Sequence, residues 1–150
     1  MLRIKLVHTP AKVIRESTKQ IITDLDADLF PDDDPILLEH IEDSWWWFAL
    51  DGATPVAYAA FSDGKHHGYQ AQRAFMSRVG VAPTHRGHGL QRRLLSVRER
   101  AAAKAGFTRA VSYTSYSNVV SSNNLARSGY RLWVPKGASG KYLHWYKELA

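Results

Sequence analysis

A glycine-bearing junction between a predicted strand and a predicted helix constrains this chain more than any other feature. Val79 and Val81 alternate with small residues as in a β-strand, and Pro83 cannot donate a hydrogen bond to continue the ladder. Gly87 and Gly89 then allow backbone conformations that residues with a Cβ rarely adopt. The pattern predicts a strand that ends near Val81 and is followed by a tight loop.

A helix is predicted directly after this loop. From Leu90 onward, apolar residues recur at the spacing of one helix face, and Gly106 stands where such a helix would end. The first-turn amides of a helix have no intrahelical acceptor, and the helix dipole is positive at that end. The junction therefore predicts a phosphate-binding site. Its spacing matches neither the Walker loop nor the three-glycine dinucleotide motif.

The loop resembles the acyl-CoA-binding segment of the GNAT superfamily of N-acetyltransferases. The signature of that segment is Arg or Gln, two residues, Gly, one residue, and Gly or Ala, which corresponds here to Arg86, Gly89 and Gln91. Gln91 departs from the very small residue that the family prefers. Residues 118–130 resemble a second family segment, in which an Asn ends a strand, a Ser follows three residues later, and Gly-aromatic closes the next helix. Both segments occur in the expected order and cover about half of the chain.

The resemblance implies a mixed α/β, α+β-like GNAT fold over a single domain, residues 1–150. Its central, twisted sheet is mostly antiparallel, has about six to seven strands and is flanked by helices. The sheet is expected to be splayed between the strand ending near Val81 and the strand starting near Ala110, which admits the pantetheine arm. The sequence pattern has the same order: strand, two helices, three antiparallel strands, helix, strand, helix and two strands.

Early elements are predicted from local signals. A first helix is expected from about Ala11 to Leu25, and a second from Pro35 to Ile41 with Asp34 as its N-cap. Apolar runs at 45–50 and 56–61 predict an antiparallel hairpin with both faces covered. Its three consecutive tryptophans are interpreted as strand core with one partly exposed ring.

The segment from Asp24 to Pro35 is the most acidic part of an otherwise basic chain. Two interpretations stay open. Its aspartates form a solvated, helix-capping loop, or Asp32, Asp33 and Asp34 line an acceptor cleft and attract a cationic amine.

Composition excludes several function classes. The absence of cysteine excludes disulfides, thiolate catalysis and Cys-ligated metal. His85 and His88 straddle the loop with no third ligand nearby in sequence, so no metal site is expected. The formal charge of +6 favours an anionic partner, either the phosphates of CoA or a nucleic acid. Without an apolar membrane span or a signal-peptide pattern, we expect a cytoplasmic protein with no membrane partner.

The resemblance implies a set of site residues. The loop and first helical turn would bind the CoA pyrophosphate, and neighbouring residues would contact the pantetheine: Val79, Val81, Arg86, Gly87, His88, Gly89, Leu90, Gln91, Arg92, Asn118 and Ser121. The expected catalytic groups are the Val81 amide as oxyanion donor, and Ser121 and Tyr116 near the thiolate, with Tyr113 as a further candidate.

Two departures from the family pattern concern the proton-transfer groups. The position that often holds a catalytic Tyr is Leu125, and no Asp or Glu lies between Asp63 and Glu99. Deprotonation of the amine would then use ordered water, His66 or His67, or an aspartate of the acidic segment.

The resulting expectation is an N-acetyltransferase that moves an acetyl group from acetyl-CoA, as co-substrate, to a primary amine by direct attack on the thioester. The acceptor would be a small-molecule amine or a protein or peptide amine. One alternative is a nucleic-acid-associated acyltransferase, suggested by the helix carrying Arg92, Arg93, Arg98, Arg100 and Lys104. Another is a catalytically silent acyl-CoA-binding regulator. Edge strands and the tryptophan-rich hairpin suggest a homodimer.

Overall fold

A computed structural model describes residues 2–149, and its elements follow the predicted order. Within these residues, seven strands form one sheet in the order β1-β2-β3-β4-β5-β7-β6. Mixed α/β architecture with flanking helices is therefore confirmed. The bounds are β1 Leu2–His8, α1 Glu16–Leu29, α2 Leu38–Glu42, β2 Ser44–Asp51, β3 Thr54–Asp63, β4 Arg73–Val81, α3 Leu90–Lys104, β5 Arg109–Thr114, α4 Val119–Arg127, β6 Arg131–Trp133 and β7 Leu143–Glu148.

The chain divides into two compact units. The first contains the chain up to Ser62 together with Ser77–Leu95, and the second contains Asp63–Met76 and the chain from Ser96 onward. The boundary crosses β4 and α3, so each of these elements contributes residues to both units. The expectation of a single domain stays a prediction.

The first unit has its core under the tryptophan-rich hairpin. β2 pairs antiparallel with both β1 and β3, so the antiparallel hairpin that the two apolar runs predict is confirmed. Trp46 and Trp47 are buried, whereas Trp45 is half-buried and stacks on Phe61 with ring centroids 4.4 Å apart. The interpretation of these tryptophans as strand core is confirmed. Trp46 joins a cluster with Ile14, Ile22, Ile41, Phe48, Tyr58 and Ala60.

Both early helices begin later than the local signals predict. α1 starts at Glu16 and continues to Leu29, so residues 24–29 of the acidic segment are helical rather than a loop. α2 starts at Leu38, and its N-cap residue is Leu37 instead of Asp34. Ile36 packs against the core of this unit from the chain before the helix. A tertiary contact thus outweighs the Asp-Pro capping signal.

In the second unit, β5 lies between β4 and β7. It pairs in parallel with β4 from Arg73 with Arg109 to Phe75 with Val111, and antiparallel with β7. β6 and β7, the last two strands of the predicted order, pair antiparallel. Gly106, at a φ of 98°, follows the end of α3 as its capping pattern predicts. The expected divergence of β4 from β5 stays a prediction.

Candidate functional site

The end of β4 approaches its neighbours so closely that only glycine is accommodated at position 80. A Cβ on Gly80 would overlap the ring of Tyr58 and lie 3.0 Å from Leu29 Cδ1. Because side chains alternate along a strand, Val79 and Val81 point away from this contact. Both valines are half-buried. The last residues of β4 are therefore held firmly against β3 and α1.

Hydrogen bonds fold the chain after β4 into a defined loop. The Ala82 amide donates to Val56 O at 2.8 Å, and a short 3-10 helix follows at Pro83–His85. Arg86 then returns toward the strand, and its Nε donates to Val81 O at 2.9 Å. The predicted phosphate-contacting arginine thus also closes the loop onto the strand.

Gly87 and Gly89 adopt left-handed backbone conformations, with φ of 80° and 76°. No atom would lie within 4 Å of a Cβ at either position, among residues 2–149. Glycine is therefore favoured here by conformation and not by lack of space. Between them, His88 is exposed, and its Nδ1–H donates to Arg86 O at 2.9 Å. The loop thus presents its backbone to open space.

In the first turn of α3, some side chains are accessible to a ligand and others are buried. The Arg93 amide donates to Gly89 O at 3.1 Å, and the i to i−4 hydrogen bonds of α3 begin there. The amides before Arg93 therefore lie ahead of the helical hydrogen-bond pattern. Leu90 is only 2% exposed and its side chain belongs to the core. Gln91 is half-buried and Arg92 is exposed. The structure thus brings the predicted residues from Val79 to Arg92 together in the first unit.

His85 ties the loop to the end of β2. Its Nε2 lies 2.9 Å from Asp51 Oδ2, and its Nδ1 lies 2.8 Å from Thr84 Oγ1. The hydrogen bond from His85 lowers the pKa of Asp51. At neutral pH, Asp51 is therefore a carboxylate that accepts from His85. This contact joins residues 34 positions apart, so the sequence carried no signal for it.

In the second unit, the start of α4 has a different construction. Asn118 caps the helix, because its Oδ1 accepts from the Ser121 amide at 3.2 Å. Ser121 is half-buried. Tyr116 is 63% exposed, and its hydroxyl donates to Gly140 O at 3.2 Å. Leu125 is buried, so the position that often holds a Tyr supplies an apolar core residue. The catalytic roles of Ser121 and Tyr116 stay predictions.

A tyrosine–histidine pair in the second unit had no signal in the sequence. Tyr69 Oη and His144 Nδ1 are 2.9 Å apart and come from segments separated by 75 residues. Burial lowers the pKa of His144 and raises that of Tyr69 above its usual range. His144 is therefore a neutral imidazole at physiological pH. Of the predicted bases, His66 is exposed and His67 packs on Phe75, with ring centroids 4.2 Å apart.

One aspartate of the acidic segment is buried in the first unit. Asp26, only 3% exposed, accepts from the Tyr58 hydroxyl at 2.6 Å and lies 3.5 Å from Arg78 Nη1. Burial, followed by the hydrogen bond to Asp26, raises the pKa of Tyr58 above its usual range. Asp32, Asp33 and Asp34, by contrast, are exposed. For these three, the attraction of a cationic amine stays a prediction.

Metal-binding clusters were sought in the part of the chain that the structure describes. Residues 2–149 contain no group of three or more His, Cys, Asp or Glu side chains placed to hold a metal ion.

None of the helices within residues 2–149 is both long and apolar enough to cross a membrane.

Comparisons with known proteins agree with this geometry. A model described as the acetyltransferase (GNAT) family matches residues 15–130. An acetyltransferase of Staphylococcus aureus has a similar structure, with a TM-score of 0.75 at 12% identity and full coverage of both chains. A Bacillus subtilis acetyltransferase in complex with CoA gives 0.73 at 16% identity, again over both whole chains. The ribosomal-protein-S18-alanine N-acetyltransferase of Escherichia coli gives 0.73 at 12% identity, covering 100% of this chain and 95% of that one. No curated protein sequence matches the chain.

Proposed function

Because the chain belongs to the GNAT acetyltransferase family, which takes its acyl group from acetyl-CoA, we propose that it transfers this group to a primary amine. Membership confirms the resemblance that the two motifs predicted. The observation that carries the proposal is the left-handed loop of Gly87 and Gly89 at the start of α3. This loop presents backbone to open space where helix amides and the helix dipole favour an anion.

The CoA pyrophosphate is bound by the loop and the first turn of α3. Backbone amides of the loop and of the first helical turn donate to its oxygens, because amides at a helix start have no intrahelical acceptor. The buried side chain of Leu90 leaves only its amide for this purpose, and Gln91 lies beside it in the same turn. Arg86 uses Nε to hold Val81 O and directs its terminal nitrogens to phosphate. Arg92 adds positive charge, and His88 orders the loop.

The pantetheine arm and the thioester bind beside the end of β4. Val79 and Val81 offer backbone groups to the pantetheine amides, and the Val81 amide stabilises the oxyanion. Asn118 contributes its side-chain nitrogen, since its oxygen caps α4. The neutral amine attacks the thioester carbon, a tetrahedral oxyanion forms, and the C–S bond breaks. Ser121, with Tyr116 nearby in sequence, supplies a proton to the leaving thiolate. An ordinary thiol has a pKa of about 8.5, so the thiolate can leave without a strong acid.

His144 is a further candidate for the general base, beside ordered water, His66 or His67 and the aspartates of the acidic segment. An ammonium must lose a proton before nitrogen can attack, and a neutral imidazole accepts one at physiological pH. Replacement His144→Gln should lower kcat/KM for the amine by about 100-fold or more. It should also remove the acidic limb of the pH–rate profile. A control is His66→Gln, an exposed histidine of the same unit; equal losses in both variants would contradict this assignment.

The acceptor is a nitrogen nucleophile in either a small molecule or a peptide. The structural neighbour from E. coli acts, by its name, on an alanine of a ribosomal protein, which supports an amine acceptor. Burial of Arg98 weakens the alternative of a nucleic-acid surface on α3, because that cation is only 3% exposed.

Thermal unfolding with and without acetyl-CoA tests the proposal. At a concentration of about 100 times Kd, the ligand adds about 2.7 kcal/mol, a rise of several degrees for a domain of this size. Gly89→Ala should abolish most of this rise, because alanine disfavours a φ of 76°. Gly106→Ala is the matched control, since Gly106 is also left-handed and open, at a φ of 98°. Equal responses of the wild type and both variants would contradict the assigned loop.

A further inference from the structure

A small pocket lies wholly within the second unit, among residues that no motif singled out. Its volume is about 110 Å³. Contributions come from the chain before β4, the first residues of β4 and β5, and the chain from the end of β6. The residues that line it are Gly68, Tyr69, Gln70, Arg73, Arg109, Trp133, Pro135 and Lys136.

Three of these residues are cations from three separate segments. Arg73 is oriented by donating from Nη1 to Ala71 O at 3.0 Å and from Nη2 to Gln70 Oε1 at 3.3 Å. Arg109 donates from Nε to Glu148 Oε1 at 2.6 Å, and its guanidinium lies 4.9 Å from the Tyr146 ring centroid. Both arginine side chains are thus held in place before a ligand binds, which lowers the conformational entropy lost on binding an anion.

Positive charge exceeds negative charge around this pocket. Glu148 is the one carboxylate in ion-pair contact with Arg73, Arg109 or Lys136 within residues 2–149. Lys136 is exposed and has no ion pair or hydrogen bond through its side chain in that part of the chain. The surplus favours an oxyanion, and arginine in particular favours the geometry of carboxylate and phosphate.

Aromatic rings supply the apolar lining. Tyr69 and Trp133 have ring centroids 5.9 Å apart, and both residues are half-buried. Tyr69 is fixed by its hydrogen bond to His144, and Trp133 packs edge-on against the same histidine, with ring centroids 5.9 Å apart. Rigid aromatic surfaces of this kind favour a flat apolar group beside the charged one.

The volume limits how much of a ligand can enter. Water occupies about 30 Å³ per molecule in the liquid, so 110 Å³ corresponds to a few waters or one small group. Pockets for whole small-molecule ligands are commonly about 300–1,000 Å³. Only the terminal group of a larger ligand is therefore held here.

We propose that this pocket binds an oxyanion joined to a flat ring, and that it recognises the acceptor, an amine that carries such a group. The acceptor role rests on the proposed function, whereas the binding itself does not. Arg73, Arg109 and Lys136 contact the oxyanion, and Tyr69 and Trp133 contact the ring. Carboxylate and phosphate share the chemistry required, and the experiment distinguishes them.

The first experiment measures binding without turnover. 3-Phenylpropionate, phenyl phosphate and the neutral 3-phenylpropanol are titrated into the whole protein, and Kd is obtained by calorimetry or NMR. At least one anion should bind 10-fold more tightly than the alcohol, and the tighter anion identifies the preferred oxyanion. Arg73→Gln and Lys136→Gln should each raise that Kd about 10-fold. Lys141→Gln, a cation outside the pocket lining, is the matched control. Equal binding of the alcohol, or anion binding unaffected by both pocket variants, overturns the proposal.

The second experiment tests the acceptor role with primary amines that differ in the anionic group. Phenylalanine, which carries a carboxylate, and O-phosphotyramine, which carries a phosphate, are compared with phenethylamine in the wild type and Lys136→Gln. The variant should lower kcat/KM about 10-fold for the anionic amine only, with an unchanged thermal shift by acetyl-CoA. If kcat/KM for phenethylamine equals that for the anionic amines, the acceptor role fails while the proposed function stands. If acetyl-CoA gives no shift and no amine is acetylated, the proposed function fails, and the titration alone decides the pocket.

Discussion

Two helices of this protein start directly after parallel strands, yet their first turns are built in opposite ways. α3 follows a loop whose two glycines are left-handed and have open space in front of them. α4 follows Asn118, whose side-chain oxygen accepts a hydrogen bond from the Ser121 amide at 3.2 Å. A capped helix start uses an amide for the fold, whereas the glycine loop before α3 leaves its backbone facing open space. The difference supports the proposal that the pyrophosphate binds at the start of α3.

The largest expected effect concerns the strand that positions the α3 loop. In Gly80→Ala, the new Cβ would overlap Tyr58, and relief requires movement of a buried ring. We expect a loss of about 3 kcal/mol in the free energy of unfolding, measured by urea denaturation. Gly52→Ala is the control, because Gly52 is left-handed but open, so that only about 1 kcal/mol is lost. Equal losses would show that β4 tolerates displacement at its end.

Arg86 should matter for the ligand more than for the fold. In Arg86→Lys, the bond from Nε to Val81 O and the paired terminal nitrogens are both lost. We expect KM for acetyl-CoA to rise about 10-fold, as one charge-assisted contact implies, with a nearly unchanged free energy of unfolding. Arg100→Lys changes an exposed arginine in α3, the helix that follows the loop, and should leave KM unchanged. A rise in both variants would point to general charge attraction and not to the loop.

Variants of Asn118 distinguish the role of its side-chain oxygen, which caps α4, from that of its side-chain nitrogen. Asn118→Ala removes the cap and should cost about 1 kcal/mol in the free energy of unfolding. Asn118→Asp keeps a capping oxygen and should retain that stability. Both variants lose the side-chain nitrogen, and both should raise KM for CoA if that atom contacts the pantetheine. Stability loss in the alanine variant without any KM change in either would restrict Asn118 to its capping role.

The smallest effect is the pH dependence of the contact that ties the α3 loop to β2. Because His85 lowers the pKa of Asp51 in the folded protein, the stabilisation is present above the ordinary aspartate pKa of about 3.9. It is lost as the pH falls through the lower folded value. The difference in Tm between the wild type and Asp51→Asn should therefore be small and positive at pH 7 and vanish in acid. A difference that grows on acidification would contradict this sign.

Local signals predicted the junction at α3 because its determinants lie within a few residues of one another. Val79 and Val81 alternate, Gly87 and Gly89 take left-handed conformations, and α3 begins at Leu90 as its apolar spacing predicts. The same kind of signal was wrong at α2. There an Asp-Pro pair predicted a helix start that the chain does not use.

Contacts between distant segments could not be predicted in this way. Asp26 meets Tyr58 across 32 residues, and Tyr69 meets His144 across 75. Nothing near Asp26 distinguishes it from the exposed aspartates that follow it in the sequence. Its buried position is set by the continuation of α1 to Leu29 and by the partner on β3. The candidate base His144 and the proposed anion pocket therefore depend on tertiary structure.

Short-range sequence patterns were enough to predict the family, the order of the elements and the glycine loop before α3, because backbone conformation and helix capping act over a few neighbouring residues. Tertiary structure decided which polar groups are buried and paired, since burial depends on segments far apart in the chain. Gly80 illustrates both. Its place in a strand follows from the valines beside it, but its need to be glycine follows only from the approach of Tyr58 and Leu29.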